Sequence, residues 1–141
     1  MRKKKISSRL RKEVYERAKN RCEYCRTDSE ISESPFDVEH IIPEVEGGAT
    51  LLENLALSCH GCNLHKSRRI NNIDPLSGKI ERLFDPRKDQ WNKHFTWTDD
   101  YTILVGITPT GRVTVDTLKM NRSGLVRKRR VLGRSGEHPP E

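Results

Sequence analysis

No run of this 141-residue chain approaches the ~20 consecutive apolar residues that a bilayer-spanning helix needs, so a soluble protein with no membrane partner is expected. Hydrophobic residues make up only 33% and aromatic ones 6%. One compact domain, or one plus appendages, with a modest core that a metal would help hold together, is expected from that length and scarcity. Nor is there an apolar stretch after the basic start Met1-Arg-Lys-Lys-Lys5, so no secretory signal is read and a reducing cytoplasm is the expected setting. No internal repeat is present. Cysteine is scarce too, with four residues in all, and their placement makes them informative.

Acidic residues are missing where basic ones gather. Residues 1–21 hold ten Lys or Arg against Glu13 and Glu16, and Lys119 to Arg134 hold seven with no acid. The stretch between, Cys22 to Leu118, reverses the balance with ten basic and sixteen acidic residues. Basic ends can neutralise phosphates while central carboxylates collect a divalent cation, the distribution a metal-dependent nuclease needs. Solvated tails are the plainer reading, above all for the first five residues.

The cysteines fall as Cys22-Glu-Tyr-Cys25 and Cys59-His-Gly-Cys62. A two-residue gap lets two thiolates from one tight turn reach a zinc ion at about 2.3 Å, and two such turns complete a closed tetrahedron. Disulfides and idle buried thiols are the alternatives. A doubled Cys-x-x-Cys in a chain without an export signal favours zinc. Such a zinc is scaffolding, so catalysis needs another centre. The interval between the pairs exceeds the roughly 15 to 20 residues of simple paired knuckles, leaving room for a folded element that carries Glu39-His40-Ile-Ile-Pro43.

A helix capped by Ser7 or Ser8 is expected to run to about Asn20, with Leu10, Val14 and Ala18 on one face. Thr27 to Pro35 reads as a loop and Phe36 to Ile42 as a short strand stopped by Pro43. Gly47-Gly48 turns the chain, and Leu51 to Leu57 returns it to the second cysteine pair. A basic helix with Lys66, Arg68 and Arg69 is expected from Asn63 to about Asn71, offering these three residues to nucleic acid. Pro75 and Gly78 mark a turn, and Asp85-Pro86 opens a brief helix through Trp91 and Phe95. Strands are expected at Thr96 to Thr98, Tyr101 to Ile107 and Arg112 to Val115, the last two joined by Thr108-Pro-Thr-Gly111. Leu118 to Leu132 reads as a helix broken around Ser123-Gly124. The expected organisation is a basic helix at 1–20, a zinc and catalytic core at 21–72, an extension packed on it at 73–132 and a disordered tail at 133–141.

Cleaving a phosphodiester requires an activated water, neutralisation of transition-state charge and help for the leaving oxygen. A neutral imidazole is a natural base near neutral pH, and a hard divalent ion prefers carboxylate or amide oxygen. His40, Glu39 and Asn63 supply that set. His60 and His65 are read as surface histidines, and Asn63 could also serve as a helix cap.

These residues resemble the HNH endonucleases of the ββα-metal (His-Me finger) class. The matching string is Cys22-x-x-Cys25, Glu39-His40-Ile-Ile-Pro43, Gly47-Gly48, Asn54-Leu55 and Cys59-x-x-Cys62-Asn63-x-x-Lys66. The resemblance implies an α+β fold: a small zinc-stabilised nuclease core, with an N-terminal helix and a strand-and-helix extension. It implies that His40 activates water, that Glu39 and Asn63 hold a catalytic magnesium, manganese or nickel ion, and that Asn54 hydrogen-bonds the loop that orients His40. It also implies that Cys22, Cys25, Cys59 and Cys62 bind structural zinc, and that DNA, with RNA as a further candidate, is cut to 5′-phosphate and 3′-hydroxyl ends. Position 39 departs from the commoner Asp. The downstream string Leu83 to Trp97, with Gly106 to Arg112 and Met120-Asn-Arg122, is similar to an extension on many bacterial HNH proteins, implying a bacterial source. Two rival readings stand beside this one: a zinc-held module that grips nucleic acid without cutting it, and a zinc-dependent structural or protein-interaction domain.

Overall fold

The computed structural model describes residues 6–140; the basic run at the start of the chain lies outside the described residues. The chain divides into two units, one of residues 1–70 with 85–88, the other of residues 71–84 with 89–141. Its elements are short helices and antiparallel strand pairs, an α+β architecture. Among the described residues no helix is long and apolar enough to cross a membrane.

In the first unit, helix α1 spans Ser8–Arg17 and starts where the Ser7 side chain accepts from the Leu10 amide at 3.2 Å. Val14 buries its inner face. Lys19 and Asn20 then take left-handed conformations and turn the chain into the first cysteine pair. Strand β1, Asp37–His40, pairs antiparallel with β2, Leu55–Ser58, in the register Asp37 to Ser58 and His40 to Leu55. Phe36 and Val38 are buried, and β2 is buried along its whole length. Tyr15 donates to the Phe36 carbonyl at 2.9 Å and Arg17 to the Leu52 carbonyl at 2.8 Å, tying α1 to the hairpin.

The loop between the strands contains a 3₁₀ turn at Glu44–Glu46, ended by Gly47 at φ +86°. Gly48 is needed for a different reason: a Cβ there would sit 1.7 Å from the Ile42 carbonyl oxygen. Helix α2 spans His60–Lys66 and lies against β1. It begins three residues earlier than expected because the Cys59 sulfur caps it, accepting from the Cys62 amide at 3.4 Å. It also stops sooner, at Ser67 with φ +53°, so Arg68 and Arg69 lie beyond its end. Asn63, inside the helix, is not its cap.

In the second unit, β3 (Asn71–Ile73) and β4 (Ile80–Arg82) form a hairpin around the expected turn, closed by Gly78 at φ +74°. Strands β5 (Phe95–Trp97) and β6 (Leu104–Gly106) form a second pair after the short helix α3, Trp91–His94. Asp85 opens no helix: its carboxylate accepts from the Arg87 amide at 2.8 Å and closes a turn within the first unit. The expected strand at Arg112 to Val115 is instead part of helix α4, Pro109–Thr117. Thr108 caps it by accepting from the Gly111 amide at 2.9 Å, and Pro109 takes the first helical position, where its missing N–H costs nothing. Val113, Thr114 and Thr117 are buried on it. Helix α5, Ser123–Arg134, runs past the position where the tail was expected to begin.

Candidate active site and metal centre

The four cysteine sulfurs lie within 4.8 Å of one another, and all four residues are buried. The two turns are built alike. The Cys25 amide donates to the Cys22 sulfur at 3.4 Å, as the Cys62 amide does to the Cys59 sulfur at 3.4 Å. Such bonds orient a sulfur before any ion arrives. The thiols also perturb one another: burial pushes Cys22 well up, while hydrogen bonding led by Cys22 pulls Cys25 well down. Four thiolates this close, out of water, need a cation among them, and a closed four-sulfur set suits structural zinc. Glu23, between the first two cysteines, takes the Leu57 amide at 2.8 Å and pairs with Arg87, stitching this turn to β2.

Successive strand residues face opposite ways, and β1 shows it. Asp37 and Glu39 meet α2, whereas His40 turns into the loop after β1. The His40 Nε2 is 2.9 Å from the Thr50 hydroxyl and 3.4 Å from the Glu44 carboxylate. Asn54 fastens that loop. Its Oδ1 accepts from the Ile42 amide at 2.9 Å, and its Nδ2 donates to the carbonyls of Ile42 and Ala49, each at 2.9 Å. The histidine ring therefore sits in a tethered cage where the strand ends.

On the other face Glu39 is buried, its Oε2 3.6 Å from the Lys66 ammonium, with the buried Tyr24 phenol as a second neighbour of the carboxylate. Burial raises its pKa, and the Lys66 charge opposes the rise. Lys66, expected to reach phosphate, is shut off from solvent and also donates to the Ile41 carbonyl at 3.1 Å. Arg68 and Arg69 are exposed. Asn63 meets Asp37: its Nδ2 donates to Asp37 Oδ2 at 3.0 Å. The same oxygen lies 3.1 Å from Nδ1 of His60, whose side chain is 66% exposed. Asp37, Thr50, Glu44 and Glu23 are missed by the sequence reading. Only Asp37 carried a signal, since it stands two residues before Glu39 and so shares its strand face.

The HNH endonuclease family model matches residues 22–69. That segment runs from the first zinc-type cysteine to the second arginine after α2, and it takes in both faces of β1. Comparison with curated proteins and with solved structures finds no match.

Proposed function

We propose, from an HNH endonuclease segment at residues 22–69 that contains a four-cysteine site, that the protein is a metal-dependent endonuclease that hydrolyses DNA phosphodiesters. The observation that carries this reading is the caged imidazole at the end of β1. Thr50 and Glu44 hold the ring through Nε2, and an imidazole fixed in place is the kind of group a general base near neutral pH requires. Asn54 fixes the loop so that the ring need not reorganise when substrate arrives.

The donor set on the α2 side fits a hard divalent ion. Glu39 offers a buried carboxylate, and Asn63, on the helix packed against its strand, an amide oxygen. Glu39 and Asn63 would hold magnesium or manganese, with nickel as a further candidate, and such an ion polarises the phosphate and lowers the cost of the developing charge. His40 takes the proton of the attacking water. The exposed Arg68 and Arg69 contact backbone phosphate, as do Arg127, Arg130 and Arg134, spaced along the exposed side of α5. The other side of α5 is anchored by Arg129, which donates to the Thr102 carbonyl at 3.0 Å and the Met120 carbonyl at 2.6 Å.

The deciding experiment is plasmid nicking in magnesium, manganese and nickel, with His40→Ala alongside. Cutting to 5′-phosphate ends that disappears in the variant, with zinc content and DNA affinity unchanged, supports the reading. Equal cutting by the variant ends His40's role.

A second reading, a zinc-held module that binds nucleic acid without cutting it, draws on the Lys66–Glu39 pair. An ammonium already answers that carboxylate, and Glu39 lies on the face of β1 away from the imidazole. A wild-type protein that binds DNA but cuts in none of the three metals selects this reading.

A further inference from the structure

Asp37 belongs to none of the family's motif positions matched above, yet its carboxylate is the group the Asn63 side chain touches. The 3.0 Å bond from Asn63 Nδ2 to Asp37 Oδ2 has a directional consequence. An amide carries a donor and an acceptor on opposite arms. With a carboxylate on one side, the donor arm must face it, because the flipped amide would set two oxygens together with no proton between them. Oδ1 is thereby turned away from Asp37. For a residue meant to bind a hard cation through oxygen, this choice of arm is the decisive one.

We propose that Asp37 is a positioning residue for the catalytic metal: it holds the Asn63 amide with Oδ1 presented as ligand, in the way that outer carboxylates orient metal-binding side chains. The inference rests on the nuclease reading and adds a residue to it. His60 shares the Asp37 oxygen from the exposed side, where water can take its place.

The test measures manganese binding directly, by calorimetry on the zinc-loaded protein, beside nicking across a manganese titration. Asp37→Ala is expected to weaken manganese binding by about 10- to 100-fold and to shift the nicking titration by a similar factor, with zinc content and melting temperature retained. Asp37→Asn, which keeps an acceptor for Asn63, should recover most of the loss. His60→Ala should leave affinity near wild type. In the cycle with Asn63→Ala, adding Asp37→Ala should cost nothing further, because the ligand it orients is gone. Unchanged affinity in Asp37→Ala, or fully additive losses in the cycle, overturns the proposal while leaving the nuclease reading standing. A wild-type protein that neither binds manganese nor nicks DNA overturns both.

Discussion

The ammonium of Lys66 lies 3.6 Å from Oε2 of Glu39, with both side chains shut off from solvent. Breaking such a pair from one side leaves a buried charge without compensation, typically at about 3–5 kcal/mol. Lys66→Met should destabilise the first unit by an amount of that order, read as faster amide exchange in β1 and β2. The double variant Glu39→Gln/Lys66→Met, which leaves no charge behind, should recover much of the loss. Wild-type exchange in Lys66→Met would mean the pair contributes no stability.

Gly48 is a steric requirement of the His40 loop. A methyl group there would meet the Ile42 carbonyl oxygen at 1.7 Å and the Asn54 amide nitrogen at 2.8 Å, so Gly48→Ala must displace the segment that Asn54 holds. Nicking should fall by about 100-fold, the scale of an ångström-sized misplacement of a catalytic group, with zinc retained. At Gly47 the space is open and only the positive φ matters, so Gly47→Asn should keep most activity. Equal losses at the two glycines would show that turn conformation, and not the crowding around Ile42, is what the loop needs.

The Arg112 guanidinium grips Asp74 through two hydrogen bonds, at 2.8 and 3.2 Å, and holds its carboxyl well below the usual carboxylate range. An acid depressed in this way stabilises the folded chain above its unfolded pKa, about 3.9, and loses that contribution as pH falls below it. The second unit should therefore weaken progressively from about pH 4 downward. Asp74→Asn should be less stable than wild type at neutral pH, with the gap closing in acid. Trp91 and Trp97 both lie in this unit, so tryptophan fluorescence melts at several pH values report it. A gap that stays constant down to pH 3 would remove Asp74 from the acid response.

The parts of this molecule that were legible in sequence are those with a fixed chemical spacing. Two Cys-x-x-Cys turns, a strand carrying Glu39 and His40 and ended near Pro43, and a return strand from Leu55 are all written in local patterns. Helix α4 was hidden because Arg112-Val-Thr-Val115 is rich in β-branched residues, and Thr108-Pro109 can begin a turn as well as a helix. Burial of the Thr114 and Val113 face decides in favour of the helix. The β3–β4 hairpin escaped notice because its strands are three residues each, too short to show alternation. Within the site, Lys66 was misplaced for a tertiary reason. A lysine on a short basic helix looks solvent-bound until the strand opposite supplies a buried carboxylate. Asp37 needed the same information, since only the packing of α2 on β1 tells which acid Asn63 meets.

Cys59 carries two duties on one atom, as a corner of the four-sulfur cluster and as the acceptor that starts α2. Oxidising or alkylating that sulfur would cost the chain an ion's grip and a helix's origin in a single stroke. The damage would reach Asn63 one helical turn later.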